Sequence, residues 1–272
     1  MNIEDTFISH LMELRTRLVR IVGVLMFGFL PCAFYAQELY TLLAQPLLEQ
    51  LPKGGQMIAT EVAAPFFIPM KVAMMAAFVI TLPHTLYQMW AFIAPGLYSH
   101  ERRMMLPLVF ASTLLFLCGM AFAYFAVLPS VFEFITAFAP EGVAVMTDIG
   151  KYLDFVLTLF IAFGVTFEVP VFVVVLVSMG VVSIEKLRDI RRYVLVGAFV
   201  VGAIFTPPDV ISQFMLAVPL YVLYELGILV AGFISKPVSG AVPVSDYQPM
   251  TDAEMEAELD RVEAEEKKNS QS

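Results

Sequence analysis

Six apolar stretches divide the chain up to Ile234, and one of them is too short to cross a lipid bilayer. A helix needs about 20 apolar residues to span a hydrocarbon core ~30 Å thick at 1.5 Å per residue. The stretches run over 21–36, 72–90, 104–128, 155–179, 194–205 and 211–234. With 59% hydrophobic and 15% charged residues and a mean hydropathy of +0.80, the composition excludes an ordinary water-soluble domain. The reading is an all-α polytopic membrane protein with six transmembrane helices, the fifth of them short.

Orientation follows from where the positive charge falls. Arg15, Arg17 and Arg20 precede the first stretch, Arg102 and Arg103 follow the second, Lys186, Arg188, Arg191 and Arg192 follow the fourth, and Lys236 follows the sixth. The opposite loops hold only Lys53, Lys71 and Lys151. Positive residues gather in cytoplasmic loops, so both termini are expected in the cytoplasm, and an even number of spans agrees with that. The first twenty residues carry Glu4, Asp5, Glu13 and three arginines, so they do not read as a cleavable signal and the first stretch is expected to stay as an anchor. Cys32 and Cys118 both fall inside spans, where a thiol acts as a small apolar side chain, and no disulfide between them is expected.

The fifth stretch holds only twelve apolar residues before Thr206-Pro207-Pro208-Asp209 turns the chain. Such a helix covers roughly 18 Å, so the hairpin into the sixth span is expected to end below the outer headgroups, under a thinned bilayer or a water-filled hollow. Proline at Pro31, Pro83, Pro170 and Pro219 is expected to kink and curve the helices toward a concave face. Residues 37–65 are read as short helical pieces, broken at Pro46, Pro52 and Gly54-Gly55, that cap the outer side. The arm over 1–20 reads as an interfacial helix, with Phe7, Leu11, Leu14 and Leu18 on one face. Residues 1–234 therefore form the membrane domain. Residues 235–272 hold nine acids and four bases among prolines and small polar residues, and are expected to be a solvated cytoplasmic tail.

Reaction chemistry is missing from the pattern. His10, His84 and His100 lack metal-ligand spacing, no glycine-rich phosphate loop is present, and no nucleophile motif appears. Neither an enzyme nor a cofactor is expected, and nothing points to nucleic acid. What remains is a set of acids. Glu168 lies near the middle of the fourth stretch, where an ionised carboxylate is costly unless hydrated or paired. It reads either as functional or as a protonated carboxyl bonded to a neighbouring helix. Glu225, in the sixth, divides evenly between function and packing. Glu13 and Glu101 lie beside arginines at the cytoplasmic edge, where plain surface ion pairs are the simplest account. No internal repeat relates the two halves, which weakens the alternative of a proton-coupled small-solute transporter with Glu168 as its relay.

Four segments taken together change the weighting. They are His10-Leu11-Met12-Glu13-Leu14-Arg15, the run from Phe92 through Pro95 to Tyr98 followed by Glu101-Arg102-Arg103, Phe167-Glu168-Val169-Pro170, and Thr206-Pro207-Pro208-Asp209. In this order and on these faces the sequence resembles the TatC family of the twin-arginine protein translocase, over residues 1 to about 234. The resemblance implies a bacterial inner-membrane receptor that binds twin-arginine signal peptides of folded cargo. It also implies assembly with single-span partners of the TatA and TatB type, association with further copies of itself, and transport driven by the proton-motive force. By motif, Glu13, Glu101, Phe92 and Arg15 would bind the signal peptide, with Pro46, Pro83 and Pro95 supporting. Glu168, Asp209 and Gln213 would mark the membrane-embedded face that meets lipid and partners. The tail lies outside the resemblance.

Overall fold

Apolar runs of this length leave the backbone no water to bond, so its N–H and C=O groups close on one another as helices. The computed structural model describes residues 3–50, 57–93, 102–137, 147–205 and 210–234, all within the first of the chain's two units, Met1–Ser235. The tail over 235–272 lies outside the described residues. Among the described residues ten α-helices run in order: α1 Ile3–Phe34, α2 Ala36–Gln50, α3 Ala64–Ile93, α4 Arg102–Phe122, α5 Leu128–Ala137, α6 Ile149–Phe167, α7 Val169–Ser178, α8 Ile184–Asp189, α9 Arg191–Phe205 and α10 Val210–Ile234. A π-helical turn, Ala123–Val127, joins α4 to α5 without a break. Among the described residues no strand forms, and the only β pairing is an isolated bridge between Ile58 and Asp148.

Among the described residues five stretches are long and apolar enough to cross a membrane: Ser9–Phe34, Ala64–Ile93, Met105–Phe134, Ile149–Ser178 and Gln213–Phe233. The chain is an all-α, multi-pass membrane protein. The short fifth stretch of the sequence falls inside α9, which has 15 residues. α1 runs unbroken from Ile3 through Pro31 to Phe34, so the arm leads into the first span as one helix. One sequence expectation needs correction: Pro46 does not break the outer segment, since α2 runs through it from Ala36 to Gln50.

The core of the described residues is assembled from five seams, two small ones setting Cys32 and Ala36 on Ala73 and Ala77, and Ala64, Ile68 and Val72 on Leu153. Along the first of the larger three, α2, the π turn, α5, α6 and α10 bury Ala44, Val127, Phe132, Tyr152, Phe163 and Leu216. The second joins α3, α4 and α7 around Leu82, Trp90, Met105, Phe116 and Val175. The third closes α7, α8 and α10 around Val173, Leu187, Tyr224 and Ile228. Small residues allow the closest approaches, as expected where lipid supplies no hydrophobic drive between helices. A Cβ on Gly119 of α4 would lie 2.5 Å from the Phe163 carbonyl oxygen of α6, and one on Gly227 of α10 would lie 2.9 Å from Pro170 Cα of α7. Large side chains such as Phe27, Phe34, Phe110, Phe125 and Phe233 face outward, where the surroundings are hydrocarbon.

The fourth span is interrupted at Glu168, which ends α6 and opens α7. Pro170 has no N–H to continue the ladder and its ring crowds the preceding turn, so the helix restarts there with proline in its first turn. The start of α6 is secured by Asp148. Its Oδ1 accepts from the Gly150 and Lys151 amides at 2.9 and 3.0 Å. Its Oδ2 accepts from the Thr60 hydroxyl at 2.7 Å and the Thr60 amide at 3.0 Å, tying the segment before α3 to this helix. The Thr60 hydroxyl bond, then the Lys151 and Thr60 amides, lower the carboxyl to about 2.

Candidate functional site

Polar side chains collect in two places. The first is where α1 begins and α3 ends. Glu13 and Arg17 are one helical turn apart on α1, the spacing at which side chains meet. Arg17 Nε–H and Nη2–H both donate to Glu13 Oε1, at 2.9 and 2.6 Å. Arg17 Nη1–H reaches across to Gln88 Oε1 of α3 at 3.1 Å. Gln88 is buried, so the guanidinium is anchored on the inner side while the carboxylate faces outward. Four residues further along α3, Phe92 stacks against His10 of α1 with ring centroids 4.4 Å apart and planes 17° from parallel. Met12, Glu13, Thr16, Arg17 and Arg20 line a cleft of about 330 Å³ here. Arg15 is exposed on the same helix.

The second place is inside the bundle. Glu168 is only 8% exposed, and neither of its carboxyl oxygens has a hydrogen-bond partner among the described residues. Ser112 of α4 stands close enough to interact with it, without closing a hydrogen bond of good geometry. Ser112 Oγ is itself the acceptor for the Trp90 indole N–H at 2.8 Å, and both residues are fully buried. Trp90, Ser112 and Glu168 thus bring α3, α4 and the α6–α7 junction to one polar point within apolar packing.

The sequence-derived candidates divide accordingly. Glu13 and Phe92 come to the same end of the bundle, and Pro83 is an exposed residue within α3. Pro46 lies in α2. Gln213 is set apart in the α9–α10 hairpin, donating Nε2–H to the Phe199 carbonyl at 2.9 Å. Glu101, Pro95 and Asp209 lie outside the described residues. Glu225, open between function and packing, accepts from Arg191 Nη2 at 2.7 Å and joins α10 to the start of α9. Sequence reasoning passed over His10, Arg17, Gln88, Ser112 and Trp90. The Glu13-to-Arg17 spacing was a readable signal. The approach of Gln88, 71 residues away, was not.

A bundle of membrane-crossing helices with a polar cluster where α1 begins and α3 ends, and a buried polar point inside, defines a multi-pass membrane protein. Comparison with known proteins narrows this. The family model described as Sec-independent protein translocase protein (TatC) matches residues 9–219, and the chain belongs to this family. The Sec-independent protein translocase protein TatC of Escherichia coli strain K12 is 54% identical over 235 residues, covering 86% of this chain and 91% of that protein. The one from Haemophilus influenzae is 49% identical over 253 residues, covering 92% and 99%. A crystal structure of the twin-arginine translocase receptor TatC in DDM aligns with a TM-score of 0.73 and 38% identity, covering 82% of this chain and 99% of that one. The protein is a Sec-independent protein translocase subunit, and the small-solute transporter reading is not favoured.

Proposed function

We propose that this subunit is the receptor that reads the paired arginines of export signal peptides on folded cargo, at the cytoplasmic face of the bacterial inner membrane. The observation that carries the reading is the outward-facing Glu13 carboxylate, which already engages a guanidinium at 2.6 Å, on the same helix as the His10 ring that stacks on Phe92. Carboxylates read arginine well because their oxygens match the guanidinium fork with charge-assisted hydrogen bonds. Lysine keeps the charge and loses the fork. Glu13 and Glu101 then receive the twin arginines, Phe92 packs against the peptide, and Arg15 keeps neighbouring carboxylates ionised, with Pro46, Pro83 and Pro95 holding the surround. Glu168, Asp209 and Gln213 form the membrane-embedded contact for TatA- and TatB-type single-span partners. Both termini are cytoplasmic, α9 is the short fifth of six spans, several copies assemble, and the proton-motive force drives transport without catalysis by this subunit.

The relatives named as twin-arginine translocase receptors support this reading. Photocrosslinking from positions flanking Glu13 to a tagged twin-arginine peptide tests it. Glu13→Ala and Glu101→Ala are expected to cut crosslinking about tenfold while the protein stays inserted, the loss of one charge-assisted contact. Undiminished crosslinking in both variants rejects the site.

A further inference from the structure

Glu13, the carboxylate assigned to the ligand, is already bonded to an arginine of its own helix. Arg17 places two N–H groups on Oε1 at 2.9 and 2.6 Å, the short contacts of a charge-assisted pair. Its third bond, to the buried Gln88 at 3.1 Å, keeps the guanidinium in place whether or not Glu13 stays with it. The Arg17 side chain is 19% exposed and that of Glu13 42%, so the partner nearer solvent is the carboxylate. Among these bonds Oε2 takes no part. Among the described residues the only acid lining the cleft is Glu13, against Arg17 and Arg20.

We propose that Arg17 is a resident competitor that sets the specificity threshold of the signal-peptide site, so that binding is an exchange of one guanidinium for another at Glu13. This rests on the receptor reading above. An incoming arginine meets a carboxylate whose charge is already offset, so simple attraction between opposite charges contributes little. It enters by offering planar donors that replace or join those of Arg17. Arg17, released from Oε1, keeps Gln88 and leaves no buried charge without a hydrogen bond. An ammonium group is a strongly hydrated point charge with no fork. It cannot match what it must displace, and lysine tags are held below the threshold.

The test uses the full chain in nanodiscs of phosphatidylethanolamine and phosphatidylglycerol, with fluorescent peptides carrying Arg-Arg or Lys-Lys and anisotropy as the readout. Removing the competitor with Arg17→Gln is expected to tighten Arg-Arg binding about threefold or more, the worth of a partly buried ion pair. Arg17→Lys, a poorer competitor, is expected to fall between this and the unmodified protein, and it decides the question on the same criterion if Arg17→Gln fails to insert. In a Glu13→Gln background the Arg17→Gln change is expected to leave affinity within about twofold, because the coupled partner is already gone. Unchanged or weaker binding in the single variants overturns the proposal. So does an equal gain without Glu13, which would assign the effect to general charge. If the unmodified protein binds both peptides equally, it is the receptor reading that fails.

Discussion

Glu168 is the residue with the least satisfied surroundings in the described chain. Burying a polar group without a partner costs about 1–3 kcal/mol, and replacing it with an apolar group of similar shape is often neutral or stabilising. Glu168→Leu is therefore expected to raise the melting temperature of the purified protein by roughly 2–4 °C per kcal/mol recovered, while abolishing export. A fall in melting temperature would mean that the carboxyl is well partnered in the folded protein and that its role is structural. That this acid lies inside the fourth apolar stretch was legible in the sequence. Its neighbours were not, because Trp90 and Ser112 look like ordinary span residues until α3 and α4 are brought against the α6–α7 junction. The same holds at the rim. Glu13 and Phe92 carry a motif and could be picked out, whereas Gln88 is one amide within an apolar helix and gains meaning only from the arginine that reaches it.

Elements follow from local rules more closely than sites do. Proline at 170 announced a bend in the fourth span, and the structure interrupts the helix for the single residue Glu168, whose backbone stays in the right-handed helical region, while Pro170 brings no N–H to the ladder. The π turn at Ala123–Val127 had no such marker: Ala-Tyr-Phe-Ala-Val reads as continuous helix. Close helix packing gives a sharper test. A side chain on Gly119 would collide with backbone of α6 at 2.5 Å, and backbone cannot swing aside as a side-chain tip does. Gly119→Val is expected to cost about 1–3 kcal/mol and to reduce accumulation in the membrane, whereas Gly23→Ala, which meets nothing within 4 Å, is expected to change neither. Equal accumulation of both variants would show that α4 and α6 are not held this close. At the start of α6 the Asp148 cap carries a pH signature. Its carboxyl sits lower when folded, about 2, than the usual 3.8, so the stability it contributes is complete above that ordinary value and disappears as the pH falls through about 2. Protection of the Thr60 and Gly150 amides, taken relative to their intrinsic exchange rates, is expected to hold at pH 4 and to fall toward pH 2. Asp148→Ala is expected to lack that protection throughout, and protection surviving in that variant would remove the cap from the account.

At the scale of the molecule the unresolved matter is how a bundle with one short helix sits in a bilayer of uniform thickness. α9 has 15 residues, or ~22 Å, and α10 has 25, or ~37 Å. The two are locked together, with Gln213 bonded to the Phe199 carbonyl and Gly202 giving Gln213 room to approach. α10 is long enough to cross a ~30 Å core and tilt, whereas α9 is ~8 Å too short to cross it. Lipid-exposed polar backbone is not tolerated within hydrocarbon, so the facing helix ends, Phe205 and Val210, are expected to meet water. With Cys32 and Cys118 replaced by alanine, Phe205→Cys and Val210→Cys are expected to react with a membrane-impermeant maleimide added from the periplasmic side. Val200→Cys, an exposed position about one and a half turns deeper along α9, is expected to stay unlabelled. Labelling of all three would mean that the bilayer thins around the whole hairpin rather than over its tip. Labelling of none from that side, with reaction from the cytoplasm instead, would reverse the orientation read from the lysines and arginines. It would also place the Glu13 rim on the wrong side of the membrane to meet cargo.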